Sequence, residues 1–364
     1  MGLQGHDALG WRDHRDGHAR RCRVCAHAAR ILEIRRRDGG RGRTHRDAPQ
    51  PNRLGSGLTV FAIDRLAGVL VALASPLKRD GSVDEPAFAR LVEHVLAGGV
   101  HGLLPLGSTG EGAALDEPAR RTVLKAVVEA AAGRVPVICG VAQPNVQSAR
   151  AEVEAAARLG ANAVLVAPPF YYPMDQASVL AFYRRVADAA PVPVLVYNIP
   201  QFTKVVVEPA TVAALANEGA IRGIKDSSRD FEYFEGVCIA TRDVAGFRVF
   251  TGSDTMLVAS LAVGAAGTIC GAGNIAPEWV VRIYDQYQRG DLEAARASQD
   301  ALYRLVMALR GDVFPGAIKA ALHLQGICEP WPAPPAQRLD EPHEARLSRQ
   351  LAAFGLLTPE RSRH

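Results

Sequence analysis

The chain has 364 residues, 48% of them hydrophobic, enough for a large core. Its formal charge of +4 is unevenly spread: residues 1–60 hold 13 Arg, no Lys and 6 acidic residues, leaving 29 basic and 32 acidic residues and a net charge of −3 in the rest. The basic balance therefore belongs to a tail, and the mildly acidic body offers neither a nucleic-acid nor a membrane surface.

Residues 1–62 are rich in Arg, His and Gly and show little apolar periodicity. Such a segment cannot bury enough surface to offset its chain entropy, so it reads as a disordered or non-native extension. Cys22 and Cys25 form a CxxC with His18 and His27 nearby, but a single pair without a second at fitting spacing is a weak zinc signal. An Arg-rich tail that binds RNA is the other alternative. The next methionine after Met1 is Met174, well inside the regular part, so a start near Leu58 or Val60 would need a non-ATG codon. No signal peptide is apparent, and the six cysteines are expected to be reduced thiols of a cytoplasmic protein.

From Gly68 onward, short apolar runs alternate with stretches of helical period. Predicted strands are Gly68–Ala74, Gly102–Leu106, Val135–Cys139, Ala163–Val166, Val194–Tyr197, Ile221–Lys225, Arg248–Thr251 and Gly267–Cys270. Predicted helices between them include Pro86–Ala97, Glu117–Ala132, Val146–Leu159 and Ala177–Ala189, with Ser82 and Glu85 as a capping box and Gly98, Gly133, Gly160 and Gly264 as helix ends. Met256–Ile275 holds no charge over twenty residues, but its four glycines favour barrel elements over a membrane span. The pattern predicts an α/β fold, a (β/α)8 TIM barrel over residues 63–290, with a helical appendage over residues 291–364. A doubly wound sheet is disfavoured, because the first strand ends in Ala74-Ser75-Pro76-Leu77 and not in a glycine-rich nucleotide fingerprint.

Reacting groups of such barrels gather at the C-terminal ends of strands. The sixth strand ends in Gly223-Ile224-Lys225-Asp226-Ser227-Ser228. An ammonium on Lys225, directly after an apolar run, is costly to desolvate; this favours a neutral amine able to attack a ketone. The alternative is a lysine that snorkels to water. The fifth strand ends in Tyr197-Asn198-Ile199-Pro200, where Tyr197 is either a proton shuttle or a rim aromatic. The second ends in Gly107-Ser108-Thr109-Gly110-Glu111, either a carboxylate cradle or an ordinary βα turn with a helix cap. Together, a cradle, a phenol and a desolvated lysine are what activation of a 2-oxo acid requires.

The combination GSTGE, YNIP and GIKDSS, in this order and spacing, resembles the pyruvate-dependent class I aldolase family. That family includes dihydrodipicolinate synthase, N-acetylneuraminate lyase and the 2-keto-3-deoxy sugar-acid aldolases. The likeness runs from Gly68 to the C-terminal helices and includes Ala167–Pro173, APPFYYP. It implies that Lys225 forms an imine with pyruvate and that Tyr197 relays protons, with Thr109 among the catalytic groups. It further implies that Ser108 and Thr109 hold the carboxylate with the Gly107 loop, and that Tyr171 reaches into a neighbouring subunit's site. Gly252 and Ile269 match pocket positions. No metal or organic cofactor is implied; the partners are pyruvate and an aldehyde or 2-oxo acid, and the assembly is a homotetramer built as a dimer of dimers.

Two departures bear on substrate. Phe202 stands where lysine-biosynthetic synthases carry an arginine for the aldehyde's carboxylate, and a phenyl ring cannot replace a bidentate guanidinium. Asp254 is followed by Thr255, and Gly271 replaces a hydroxyl residue, which departs from the sialic-acid lyases. Asp254 is a candidate for a hydroxylated substrate tail or, alternatively, the N-cap of its own helix. Gln201, Phe202 and Lys204 are expected to shape the specificity loop. The branch this favours is the 2-keto-3-deoxy sugar-acid aldolases, then enzymes of 4-hydroxy-2-oxo acids. The alternatives are a dihydrodipicolinate synthase, an N-acetylneuraminate lyase, or a non-catalytic oxo-acid sensor.

Overall fold

Eight apolar runs pair in parallel as β1 (Gly68–Ala72), β2 (Gly102–Leu104), β3 (Ile138–Val141), β4 (Ala163–Val166), β5 (Val194–Asn198), β6 (Gly223–Asp226), β7 (Arg248–Thr251) and β8 (Gly267–Cys270). The hydrogen-bonded order is β2-β1-β8-β7-β6-β5-β4-β3. A parallel bridge between Leu103 and Val137 closes the ring, supported by the Leu103 amide donating to the Pro136 carbonyl at 3.0 Å. This computed structural model describes residues 63–310 and 314–357. The expectations for residues 1–62, including the Cys22–Cys25 pair, lie outside them.

Helices follow the strands in turn: α1 (Glu85–Ala97), α2 (Glu117–Ala131), α3 (Val146–Arg158), α4 (Gln176–Asp188), α5 (Pro209–Asn217), α6 (Phe231–Thr241), α7 (Leu257–Ala262) and α8 (Pro277–Gln288). Then come α9 (Leu292–Leu309), α10 (Gly316–Leu324) and α11 (Glu341–Ala353), so the architecture is a (β/α)8 TIM barrel with a C-terminal helical part. Met256–Ile275 splits into α7 and β8, and no helix among the described residues is long and apolar enough to cross a membrane.

Local chemistry sets the ends of these elements. Short acceptors start the helices: Asp84, Asp116, Asn145, Asp175 and Asp230 each accept from the amide three residues on. Ser82 is not a cap; its hydroxyl donates to Asp80, and Asp84 takes the capping position. Gly98 stays in the right-handed region, and Gly99 takes the left-handed turn with φ of 81°. β2 stops two residues early because Leu106 turns left-handed with φ of 61°. β3 starts late because Pro136 has no amide to pair.

Strand parity divides the core in two. Val69, Val71, Val164, Val196, Ile224 and Val249 face the helices. Leu70, Leu104, Leu165, Leu195, Phe250 and Ile269 fill the barrel interior. Since neighbours along a strand point to opposite faces, Ile224 facing outward turns Lys225 inward.

The C-terminal helices cover the mouth through one buried ion pair. Lys319 on α10 is fully buried, and its Nζ lies 2.9 Å from Glu111 Oε1. It also donates to the carbonyls of Ser75 and Trp331. The other Glu111 oxygen accepts from the Ala333 amide at 2.5 Å. Burial pulls the Lys319 amine below its ordinary pKa, and Glu111 opposes that shift. Removing one partner strands a buried charge, which typically costs about 3–5 kcal/mol. Glu111→Ala is therefore expected to lose about that much in urea unfolding. The double replacement Glu111→Leu/Lys319→Met is expected to recover most of the loss; equal unfolding midpoints for wild type and Glu111→Ala would rule out this anchoring role.

Candidate active site

Lys225 enters the barrel near the C-terminal end of β6 and is 4% exposed. The β5–β6 register sets it opposite Tyr197, and its Nζ lies 4.6 Å from the centroid of the Tyr197 ring. The Tyr197 hydroxyl lies 3.2 Å from Ser108 Oγ. The hydroxyl brought to Tyr197 is thus that of Ser108, whereas Thr109 faces across the mouth toward Gly271.

Ser108, Thr109, Tyr197, Lys225, Gly252, Asp254, Ile269 and Phe202 share one cavity of about 370 Å³. Gly107 lines an adjoining cavity of about 580 Å³, mostly apolar, which also touches Ser108 and Tyr197. Of the two, only the smaller cavity is lined by Lys225. Tyr171 is not brought to either. It is 86% exposed and packs edge-on against Tyr172 at 5.0 Å between ring centroids.

Residues beside the reactive ones hold their backbone in place. Asp226 accepts from Asn198 Nδ2 at 2.7 Å, and the Asn198 carbonyl oxygen accepts from the Val207 amide at 3.0 Å. Ser228 donates to Asp226 from both amide and hydroxyl. Burial raises the Asp226 carboxyl above its ordinary range, and these hydrogen bonds oppose it. The asparagine of YNIP and the aspartate of GIKDSS thus lock β5 to β6 just outside the barrel. On the far side, Asn274 accepts from the Ala74 amide and donates to the carbonyls of Ala72 and Gly271, tying β1 to the end of β8.

Asp254 does not cap its own helix. Its Oδ1 accepts from the Gly271 amide at 3.1 Å and the Ala272 amide at 3.4 Å, at the start of a short turn after β8. Burial raises its carboxyl above the usual range, opposed by the Ala272 amide, Arg310, Lys225 and the Gly271 amide. The second GSTGE glycine serves packing inside the loop: a Cβ on Gly110 would sit 2.8 Å from the Leu73 carbonyl oxygen. Glu111 points away from the cradle into the Lys319 pair.

Sequence reasoning missed Arg229, Arg310 and Phe314, all of which line the Lys225 cavity. Arg229 directly follows GIKDSS and was open to notice. Arg310 and Phe314 come from the C-terminal helical part, and no local pattern ties them to the barrel mouth. The Phe314 ring lies 6.0 Å from that of Phe202.

The fold and this cavity together define a (β/α)8 barrel enzyme with a buried lysine among the strand ends. The chain belongs to the dihydrodipicolinate synthetase family, whose model matches residues 65–354, and is a class I aldolase-type lyase. It is 39% identical over 292 residues to a DapA-like lyase of Halobacterium salinarum, covering 80% of this chain and 95% of that one. It is 38% identical over 291 residues to the 4-hydroxy-tetrahydrodipicolinate synthase of Hyphomonas neptunium, covering 80% and 99%. Among solved structures, dihydrodipicolinate synthase from Thermotoga maritima superposes with a TM-score of 0.78 at 31% identity, covering 80% and 100%. YagE, a prophage protein of the dihydrodipicolinic acid synthase family from E. coli K12 in complex with pyruvate, gives 0.77 at 29%, covering 80% and 99%.

Gly252 offers a direct check on the cavity. A Cβ there would lie 2.1 Å from Ser227 Oγ and 2.8 Å from Lys225 Cε, so the lysine must move. Gly252→Ala is expected to fold normally by circular dichroism yet lower the rate of amine modification at Lys225 by about ten-fold or more, since about 1 Å of misplacement can cost far more. An unchanged rate would mean that the lysine does not depend on this packing.

Proposed function

We propose that the chain is a Schiff-base lyase that cleaves or forms a 2-oxo acid with pyruvate as one component. The observation that carries this reading is the buried amine of Lys225 beside the Tyr197 phenol, itself in contact with Ser108. In cleavage, Lys225 Nζ attacks the C2 ketone and water leaves, giving an imine. The C4 hydroxyl gives up its proton through Tyr197, the C3–C4 bond breaks, and its electron pair moves through C3 to the imine nitrogen. C3 of the resulting enamine then takes a proton, and water releases pyruvate and the free lysine. Ser108, Thr109 and the amides of the Gly107 loop hold the carboxylate. If the uncleaved imine instead gives up a proton from C3, the enamine so formed can expel the C4 hydroxyl as water, and the outcome is dehydration.

Tyr171 fits a role in a neighbouring subunit. An exposed aromatic pair is a surface that another chain would cover, and Tyr171 holds φ at 87°, a conformation costing about 1–3 kcal/mol that is retained at functional positions. In this reading Tyr171 completes the relay of a second copy's Tyr197 and Ser108, and the assembly is a tetramer of paired dimers. Mixing inactive Lys225→Ala with Tyr171→Phe subunits, followed by subunit exchange, should restore activity in hybrid sites; no recovery in verified hybrids would place Tyr171 outside the reaction.

For the distal substrate end, Phe202 supplies an apolar wall where lysine-biosynthetic synthases have an arginine, and Asp254 Oδ2 is available to a hydroxyl near Gly271. This favours a 2-keto-3-deoxy sugar acid over an aspartate-semialdehyde-type partner, with a 4-hydroxy-2-oxo acid next. The test of the central step is borohydride reduction in the presence of pyruvate, read by intact and peptide mass. A reduced pyruvate adduct on Lys225, absent from Lys225→Ala, is expected. No adduct on folded protein would replace the lyase by a sensor that binds an oxo acid without turnover.

A further inference from the structure

The Lys225 cavity carries positive charge that imine chemistry does not use. Arg229 follows the end of β6 and Arg310 ends α9, and both line this cavity. Among the described residues, Asp254 is the one carboxylate lining the same cavity. Burial, then the like charge of Arg229, pulls the Arg310 guanidinium below its ordinary value, and Asp254 and Tyr303 oppose the shift. Both arginines border this one small cavity. Among the described residues no carboxylate forms an ion pair with either.

Arg229 also sits in an unfavourable backbone conformation. Its φ is 66°, the left-handed region that a residue with a Cβ rarely adopts and glycine adopts freely. An arginine kept at such a position points to a use for its side chain. Two like charges converging on a small cavity lower their mutual energy when an anion enters between them. Planar guanidinium groups suit a carboxylate, which two forks can grip from different sides. A volume of about 370 Å³ admits a small acid of about six carbons.

We infer that Arg229 and Arg310 bind an acidic group at the distal end of the substrate. The lyase then acts on a 2-keto-3-deoxy sugar acid whose far end is a second carboxylate. The charge that Phe202 does not provide comes from the β6 end and the C-terminal helical part instead. This inference rests on the reading of Lys225 as the imine-forming amine and specifies the substrate class of that site.

The test compares 2-oxoadipate with 2-oxohexanoate, six-carbon acids that differ only in the distal carboxylate, by borohydride trapping on Lys225 of the full chain. The expected result is about a ten-fold preference for the dicarboxylate, one charge-assisted contact's worth, weakened by added salt. In Arg229→Gly/Arg310→Gln the ratio should fall toward one, and the glycine relieves the strain at that position, which protects folding. Equal capture of the two acids by the wild type, or a preference that survives in the double variant, would overturn the inference. Pyruvate trapping in the same samples separates the two readings. If pyruvate leaves no adduct, the imine mechanism fails, and the arginine site is judged by calorimetry with glutarate against pentanoate, neither of which has a ketone. Tighter binding of glutarate, lost in the double variant, upholds the site; equal binding overturns it.

Discussion

The pairing of β5 with β6 is the constraint on which the site depends. It sets Tyr197 opposite Lys225, and strand parity then turns both side chains into the barrel. A slip of one residue would send Lys225 among the helices and put Ile224 in the cavity. Three polar contacts guard against such a slip. Asn198 bonds Asp226, Asn198 also accepts from Val207, and Ser228 closes on Asp226. Each of these groups is costly to bury alone, so they hold as a set. The YNIP and GIKDSS motifs are therefore two halves of one clamp, with one reactive residue in each half.

A second clamp works at the opposite side of the mouth. Glu111 and Lys319 bury opposite charges together and bring the GSTGE loop, the β1 loop and the C-terminal helical part to one point. Buried pairs of this kind contribute little net stability compared with apolar packing, yet they strongly penalise any arrangement in which one partner is absent. The consequence is positional. Ile318 reaches the Lys225 cavity because α10 is held there, and Val306, Leu309 and Arg310 from the end of α9 line it beside Ile318. The appendage thus supplies part of the substrate wall.

These clamps also separate two sets of cavity residues. Lys225 and Tyr197 stand on strands, which the sheet holds rigidly, and Ser108 on the folded-back loop after β2. Phe202, Arg229, Arg310 and Phe314 stand on loops and a helix terminus, which tolerate change.

The sequence by itself determined the barrel, its strand order, its inward lysine and the family. Each follows from short-range information: apolar period, flanking glycines, and motifs in which the reactive residue and its supports are neighbours along the chain. It also identified the inward-facing residues of one cavity, from Ser108 to Ile269. Only the tertiary structure decided which hydroxyl of the Ser108–Thr109 pair meets Tyr197, because that depends on a loop folded back by Leu106 and Glu111 in left-handed conformations. It alone showed that Asp254, read from sequence as either a contact for a hydroxylated tail or a helix cap, accepts from the Gly271 and Ala272 amides, since those donors lie at another strand end. Glu111–Lys319 and Arg229–Arg310 were illegible for the same reason. Their members are separated by many residues, and a charge carries no mark of its partner until the chain has folded the two together.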